Sequence, residues 1–318
     1  MSEPVVILCP GQGAQSPGMG KAWFDASPTA ARTFGAADEL VGDRLDERLS
    51  TLCFEGPEDV LNRTDVAQPA IFVTSVACAQ ALFEDDGTPF AATAGLSLGE
   101  YTALHLAGCM SFEDALELVL LRGSAMQEAA ENSDGTMLAL IGATDEQAES
   151  IVEQARQDDV LVPANYNAPG QVVLSGSISA CERASGVASE TGLRSSMLSV
   201  AGAFHSPHMQ PAADRLREAL DKTDISEPRC PVLSNVTARL HEHDATSIRE
   251  LLVRQLTEPV RWAQGCAWMV SDESPIDSSA AVHELAPGKV LAGLMRRIDR
   301  GTKVQTHLEP ATKEVPDA

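Results

Sequence analysis

The sequence has few basic residues for its length. Its 318 residues include 46 Asp and Glu but only 23 Lys and Arg, which gives a formal net charge of −23 at pH 7. Non-specific binding of nucleic acid needs a basic face, so this balance argues against a nucleic-acid partner and favours a well-solvated acidic surface. The exception is a basic cluster near the C-terminus that contains Lys289, Arg296, Arg297, Arg300 and Lys303.

Long hydrophobic runs are absent as well. No stretch of eighteen apolar residues occurs, and the start MSEPVVILCPGQG lacks the basic beginning and small-residue cleavage site of a signal peptide. With 44% hydrophobic residues, the chain can still bury a full core. We therefore expect a cytoplasmic protein that does not associate with membranes.

The seven cysteines form no recognisable pattern. They are scattered, odd in number and never spaced as CxxC. This arrangement argues against a disulfide framework and against a structural zinc site, so we expect no bound metal. Most of these cysteines should be small buried hydrophobic residues.

The segment TAGLSLGEYTALHLAG, residues 93–108, contains a glycine-x-serine-x-glycine pattern centred on Ser97. At average composition, such a pattern arises by chance in about one chain in ten of this size, so alone it is weak. Its surroundings strengthen it, because AATAG predicts a strand and GEYTALHLAG a helix, and a nucleophile elbow requires this context. Gly95 and Gly99 allow the chain to turn sharply, and the helix start offers free N–H groups. The pattern thus indicates a serine nucleophile, which still needs a base.

The rhythm of the sequence changes between about residues 135 and 202. The predicted elements there are a strand, a helix, two strands around an Asn-Ala-Pro-Gly turn, a helix and a strand, the βαββαβ order of ferredoxin-like folds. Outside this segment strands alternate with helices, and SIRELLVRQLTEPVRW is predicted as one helix. We therefore predict an α/β fold with a large catalytic domain over 1–132 and 203–304, an inserted ferredoxin-like subdomain over 133–202, and a loose C-terminal tail over 305–318.

Several histidines are candidates for the base. His241 and His243 lie in the polar stretch ARLHEHDATS, which predicts an exposed loop, and His105 should pack on the helix that follows the elbow. His205 and His208, in AFHSPHM, lie where the insert returns to the large domain, and pockets favour such junctions. The alternative for either one is an ordinary hydrogen-bonded loop residue.

Arg122 shares the apolar stripe of its predicted helix with Val119 and Met126. No carboxylate lies three or four residues away, and a buried charge without a partner is very costly. The partner could come from elsewhere in the fold, the side chain could snorkel to solvent, or a substrate carboxylate could bind the guanidinium in a two-pronged geometry. From the residues alone these alternatives stay open.

A glycine-rich loop, PGQGAQ, follows the first predicted strand. It is not a phosphate loop, because GK[ST] is missing, and not a dinucleotide fingerprint, because GxGxxG is missing. Glycine lets a backbone approach a ligand closely. A backbone donor of an oxyanion hole in this loop would fit a serine nucleophile.

Seven segments of the chain come in the order found in malonyl-CoA:acyl carrier protein transacylases. They are PGQGAQ, GLSLGEYTAL, LRGSAMQEA, NYNAPGQVVLSG, AFHSPHM, RQLTEPVRW and ELAPGKVLAGLMRR. The chain resembles this family from about residue 5 to residue 300. The resemblance implies an acyltransferase of fatty-acid synthesis with an α/β-hydrolase-like parallel-sheet core and a ferredoxin-like insert.

The resemblance also implies roles for individual residues. By motif, Ser97 corresponds to the nucleophile, His205 to the base and Arg122 to the group that binds the malonyl carboxylate. The backbone N–H groups of Gln12 and Leu98 correspond to the oxyanion hole.

Four further positions can be compared with the family. Gln255, in RQLTEP, corresponds to a residue that supports the histidine through an amide or a backbone carbonyl, in place of a triad aspartate. Phe204 is the residue that malonyl-selective members usually have. Leu96 departs from the family pattern, which usually has histidine before the nucleophile, and Ala286 stands where a glycine often precedes PGK.

The resemblance implies malonyl-CoA and acyl carrier protein as partners and no separate cofactor, since CoA and phosphopantetheine enter as parts of the substrates. We expect a monomer, with the carrier protein docking near Lys289, Arg296 and Arg297. The alternatives are an acyltransferase that serves a polyketide synthase, a serine esterase or thioesterase on the same elbow, and a non-catalytic scaffold.

Overall fold

The computed structural model describes residues 3–83 and 88–311. In chain order the strands of this part are β1 (Val5–Cys9), β2 (Phe90–Gly95), β3 (Gly135–Ile141), β4 (Leu161–Ala168), β5 (Gln171–Ser177), β6 (Arg194–Met197), β7 (Val232–Leu233), β8 (Ala281–Glu284) and β9 (Val304–Thr306). Its α-helices are α1 (Lys21–Ala26), α2 (Pro28–Val41), α3 (Leu49–Glu55), α4 (Glu58–Leu61), α5 (Thr64–Phe83), α6 (Gly99–Leu106), α7 (Phe112–Glu131), α8 (Asp145–Arg156), α9 (Ile178–Glu190), α10 (Gln210–Leu220), α11 (Ala245–Arg254), α12 (Trp262–Met269) and α13 (Val290–Ile298).

A parallel sheet forms the centre of the molecule. Its strands in the described part run in the order β7–β2–β1–β8–β9, and each neighbouring pair is parallel. Strand β1 is buried on both faces, as parallel sheets covered by helices require. Val5 and Ile7 face a core built with α2, α5 and α7, whereas Val6 and Leu8 face a second core built with α12 and α13. The predicted α/β fold with a parallel-sheet core is confirmed.

The second sheet is antiparallel and contains β3 to β6. Its strand order is β4–β5–β3–β6, with β3 and β5 central, which is the order of a ferredoxin-like βαββαβ unit. Helices α8 and α9 cover one face over their own small core. The predicted ferredoxin-like insert is therefore present, and its strands lie inside the predicted range 133–202. The domain boundaries themselves stay a prediction.

The helix predicted over SIRELLVRQLTEPVRW is wrong in its length. Helix α11 ends at Arg254 and α12 begins at Trp262. Pro259 has no N–H to donate to a helix, and it interrupts the run. The next residue, Val260, bonds instead to strand β4, accepting from the N–H of Tyr166 and donating to the carbonyl of Ala164. Gln255 is the first residue of this irregular segment.

The tail was predicted to be loose from residue 305, and this boundary is too early. Strand β9 pairs with β8, and Trp23 Nε1 donates to the carbonyl of His307 at 3.1 Å. The His307 ring stacks on that of His283, with centroids 5.0 Å apart. These contacts hold the chain through residue 307, while residues 312–318 of the predicted tail lie outside the described residues.

Helix α5 is the one described helix that is long and apolar enough, by length and composition, to cross a membrane. Its most apolar window has a mean hydropathy of 1.5, and 78% of that window is buried inside the protein. It packs against α2 and α7, as a core helix does. All seven cysteines are free and buried, which confirms that they act as small hydrophobic residues.

Candidate active site

The turn between β2 and α6 is a sharp elbow that carries Ser97. Ser97 has φ 53°, in the left-handed region that L-residues rarely adopt. The flanking glycines are required by close contacts: a Cβ at Gly99 would lie 2.1 Å from the carbonyl oxygen of Cys9, and one at Gly95 would lie 1.9 Å from the carbonyl carbon of Gly99. The predicted strand, turn and helix are therefore present, and Ser97 is half-buried at their junction.

Asn235, in the loop after β7, stabilises the elbow through two hydrogen bonds from its side-chain amide. Its Oδ1 accepts from the N–H of Ser97 at 2.6 Å, and its Nδ2 donates to the carbonyl of Gly95 at 2.7 Å. Both bonds tie backbone groups that the turn removes from the sheet ladder. The sequence analysis missed this residue, because nothing in the local pattern SNVTAR distinguishes a clamp from a loop amide.

His205 lies next to Ser97 although 108 residues separate them in the chain. Its Nε2 is 2.8 Å from Ser97 Oγ, and its Nδ1 is 2.7 Å from the backbone carbonyl of Gln255. A carbonyl oxygen can only accept, so Nδ1 carries the proton and Nε2 is free to accept from the serine hydroxyl. Burial lowers the pKa of His205 to about 4, and the charge of Arg122 acts in the same direction, while the bond to Gln255 opposes it.

Arg122 is 1% exposed on helix α7, and its guanidinium faces the serine. Nη2 donates to Ser97 Oγ at 3.0 Å and to Gln255 Oε1 at 2.9 Å, and Nη1 donates to Gln68 Oε1 at 2.6 Å. The guanidinium carbon also lies 5.3 Å from the ring centroid of Tyr101. No carboxylate among the described residues forms an ion pair with Arg122, and its Nε has no hydrogen-bond partner there. Because the side chain is buried, it does not snorkel to solvent.

Gln255 contacts the site in two ways. Its backbone carbonyl accepts from His205 Nδ1, which is the place a triad aspartate would take. Its side chain does not reach the histidine ring but bonds to Arg122, to the Ser97 carbonyl and to Glu100. Of the two ways in which the residue could support a histidine, the backbone carbonyl is the one observed.

The predicted oxyanion-hole donors lie at the same place in the fold. The glycine loop after β1 packs against the elbow so closely that a Cβ at Gly11 would lie 2.2 Å from the carbonyl oxygen of Leu96. Gln12 follows Gly11, and Leu98 follows the serine at the start of α6. Within the described part of the chain, neither the Gln12 N–H nor the Leu98 N–H donates a hydrogen bond to another group of the protein.

The exposed-loop prediction is wrong for His241, which is 3% exposed, and right for His243. The N–H of His241 donates to the carbonyl of Val232, which draws the residue alongside β7, and its Nε2 lies 2.6 Å from Glu100 Oε1. A polar sequence context hid this contact, because the partner is 141 residues away. His105 packs beside Phe72, as expected.

The predicted docking residues lie on helix α13 and at its start. Arg296 and Arg297 are exposed on the last turn of α13, and Lys289 is exposed at its start. Arg297 also donates to the carbonyl of Pro169, in the β4–β5 turn. In the described residues, no group of three or more His, Cys, Asp or Glu side chains could hold a metal ion.

Residues 6–303 match the family model of the acyl transferase domain. The chain is 40% identical over 313 residues to a malonyl CoA-acyl carrier protein transacylase of Bacillus subtilis, covering 98% of this chain and 95% of that protein. It is similar to the solved malonyl CoA-acyl carrier protein transacylase of Coxiella burnetii, with a TM-score of 0.89, 36% identity, and 97% and 95% of the two chains covered.

A second solved structure contains a carrier protein. It is a malonyl-transacylase in complex with a holo acyl-carrier protein of a type II polyketide synthase, with a TM-score of 0.89, 35% identity and 97% of each chain covered. These matches extend over nearly the whole chain, including both sheets and every segment that contributes to the site. The chain belongs to the acyl transferase family, and within it to the malonyl-CoA:acyl carrier protein transacylases.

Proposed function

We propose that the protein transfers a malonyl group from malonyl-CoA to the phosphopantetheine thiol of an acyl carrier protein, through a malonyl ester of Ser97, for fatty-acid biosynthesis. One observation carries the proposal: Ser97 Oγ lies 2.8 Å from His205 Nε2 and 3.0 Å from Arg122 Nη2. A serine beside a neutral imidazole suits acyl transfer. A buried arginine at the same hydroxyl suits an acyl group that ends in a carboxylate.

In the first half-reaction, His205 accepts the hydroxyl proton as Ser97 Oγ attacks the thioester carbonyl carbon. The oxyanion that forms is stabilised by the N–H groups of Gln12 and Leu98, and removing one such donor typically costs about 2.7–4 kcal/mol. The carbon–sulfur bond breaks, and the proton on His205 passes to the sulfur of the departing CoA. The serine is then a malonyl ester.

In the second half-reaction, the phosphopantetheine thiol takes the place of CoA. His205 accepts the thiol proton as the sulfur attacks the ester carbonyl, and it returns that proton to Ser97 Oγ when the carbon–oxygen bond breaks. The bond from His205 Nδ1 to the Gln255 carbonyl keeps the same ring nitrogen facing the serine in both directions. No cofactor takes part, because CoA and phosphopantetheine are parts of the substrates.

Arg122 selects for the malonyl carboxylate. Its guanidinium already lies at the nucleophile, where Nη2 donates to Ser97 Oγ, and its Nε–H, on the same side of the group as Nη2, has no hydrogen-bond partner among the described residues. Two-pronged binding of a carboxylate is the geometry in which arginine is strongest. An uncharged acyl group would leave the buried cation without this partner.

We expect the protein to act as a monomer in the cytoplasm. A polyketide carrier protein is the alternative acceptor, and it is favoured by the similarity to the transacylase solved with such a carrier. A serine esterase or thioesterase would use the same Ser97 and His205 but discharge the acyl group to water. A non-catalytic scaffold would not need the contacts among Ser97, His205 and Arg122.

The Ser97→Ala variant should form no acyl-enzyme, because it lacks the attacking oxygen. The measurement is the intact mass after brief exposure to malonyl-CoA, and the exposed Ser124→Ala variant on α7 is the matched control, which should gain one malonyl group. A Ser97→Ala protein that still gains malonyl mass would rule Ser97 out.

The same wild-type sample separates a transferase from a hydrolase. Without carrier protein, a transferase should keep its malonyl ester and release little free malonate. Continuous release of malonate would contradict the proposal in favour of the esterase or thioesterase, and a wild type that never acquires malonate would favour the scaffold.

The Arg122→Ala variant should lose its preference for malonyl-CoA over acetyl-CoA. Removing one partner of a buried charge pair costs about 2–5 kcal/mol, so the ratio of malonyl to acetyl loading should fall at least about 30-fold. The ratio is measured by intact mass in a mixture of both thioesters, with Arg32→Ala on α2 as control. An unchanged ratio would show that Arg122 does not bind the carboxylate.

The rate of acyl-enzyme formation should fall as the pH drops through about 4. This is the value to which burial and the charge of Arg122 lower the pKa of His205. Only the neutral imidazole accepts the serine proton, so the rate should be constant from there up to neutrality. In Arg122→Ala the missing cation lets the pKa rise, which moves the decline to higher pH. Both proteins are measured in single turnovers with acetyl-CoA, and circular dichroism checks folding at each pH. A wild-type midpoint near the ordinary histidine value of about 6.5 would contradict this assignment.

We also propose that the basic cluster around Lys289, Arg296 and Arg297 docks the acidic carrier protein. Arg296 is exposed and offers the cleanest test, because Arg297 also holds the β4–β5 turn. Arg296→Glu should raise the KM for carrier protein about fivefold or more and leave the rate of loading from malonyl-CoA unchanged. Arg32→Glu, an exposed arginine on α2, controls for net charge. Equal effects of the two reversals would reject the docking site.

A further inference from the structure

Glu100 is a buried carboxylate that the proposed reaction does not use. It lies in the first turn of α6, three residues after the nucleophile, and is 1% exposed. It accepts from Gln255 Nε2 at 2.5 Å, from His241 Nε2 at 2.6 Å and from the N–H of Asn235 at 3.3 Å. Three donors, two from the loop between β7 and α11 and one from the segment after α11, therefore converge on one carboxylate, which is the usual way in which a buried negative charge is stabilised.

His241 contacts Glu100 through one ring nitrogen only. His241 Nδ1 is buried and has no hydrogen-bond partner among the described residues. A protonated ring would place an N–H donor there without an acceptor, which is costly. The neutral tautomer, with its proton on Nε2 facing Glu100, avoids this penalty. In that tautomer the ring donates to Glu100 and adds no charge of its own.

Gln255 connects Glu100 to Arg122. An amide has one donor end and one acceptor end. Two acceptors, the Glu100 carboxylate and the Ser97 carbonyl, face its Nε2 at 2.5 and 2.9 Å. Its Oε1 must then face Arg122, where Nη2 donates to it at 2.9 Å. Glu100 and the Ser97 carbonyl together therefore fix which end of the amide the guanidinium meets.

The same connection balances charge. The hydrogen-bond acceptors of Arg122, on Gln68, Gln255 and Ser97, are all neutral, although the side chain is buried. Burial lowers the pKa of Arg122, and the negative charge of Glu100 counteracts that shift. A carboxylate in direct contact would balance the cation equally well, but it would occupy the N–H groups that a substrate carboxylate needs.

We infer that Glu100 is a positioning residue for carboxylate selectivity. Glu100 acts through the side-chain amide of Gln255, which lies between it and Arg122. In this way it orients the guanidinium and offsets its positive charge without contacting it, so that the guanidinium stays open to the acyl carboxylate. The inference rests on the proposed function, because Glu100 can affect carboxylate selectivity only if Arg122 binds an acyl group that carries a carboxylate.

The first test is Glu100→Gln, which keeps the shape and removes the charge. The new amide can present its own NH₂ to Gln255, so the Gln255 amide loses one of the two acceptors that fix its direction, and Arg122 loses the nearby negative charge. The ratio of malonyl to acetyl loading should fall at least about tenfold, the usual effect of disturbing a hydrogen bond to a charged group, while acetyl loading changes by less than about threefold. The exposed Glu242→Gln is the matched control and should retain the wild-type ratio. An unchanged ratio, or an equal fall in both rates, would overturn the inference.

The second test exchanges the two side chains, as Glu100→Gln with Gln255→Glu. The exchanged protein has the wild-type composition and charge, but its carboxylate now contacts Arg122 directly. We expect it to fold, with a Tm at or above that of the single variant, and to stay unselective because the resident carboxylate competes with malonate. Recovery of the malonyl preference together with the Tm would show that Glu100 is merely structural, and it would overturn the inference even if the single variant does not fold.

These outcomes are distinguishable from failure of the proposed function. A wild type that forms no malonyl ester at Ser97 would remove the function itself. A wild type that loads malonate, loses its preference in Arg122→Ala and keeps it in Glu100→Gln would remove only the role of Glu100.

Discussion

The burial of one positive charge is the constraint on which the rest of this site depends. The guanidinium of Arg122 lies beside the Ser97 hydroxyl on a buried side chain, so the polar groups that stabilise it must be supplied by the fold. Gln68 comes from α5, Tyr101 from α6 and Gln255 from the break after α11. The parallel sheet, the irregular segment before Pro259 and the core helices are thus all needed to hold a single cation in place.

The parts of the site that follow from local pattern could be predicted from the sequence. Gly95 and Gly99 predict a tight turn, and the structure gives the reason, since a Cβ on either residue would collide with backbone atoms. Arg122 stands out because no carboxylate lies within one helical turn. The βαββαβ order could be predicted for the same reason, since each of its strands and helices has its own periodicity. The assignment of His205, in contrast, depended on family resemblance.

The parts that could not be predicted depend on contacts between distant segments. Glu100 and His241 are 141 residues apart, and each looks like an ordinary surface residue in its own stretch. The two roles of Gln255 depend on the helix ending at Arg254, which turns its carbonyl toward His205 and its amide toward Arg122. Helical periodicity carries no information about such a network, because its members share neither an element nor a spacing.

The departure at Leu96 can now be judged by where it lies. Leu96 packs with the core on the face of the sheet formed by Val6 and Leu8, whereas Arg122 lies on α7, which packs on the opposite face. The elbow therefore separates the two residues. Leu96 contributes apolar packing beneath the turn and supplies no donor to a ligand, so the polar groups that orient the cation come from Gln68 and Gln255.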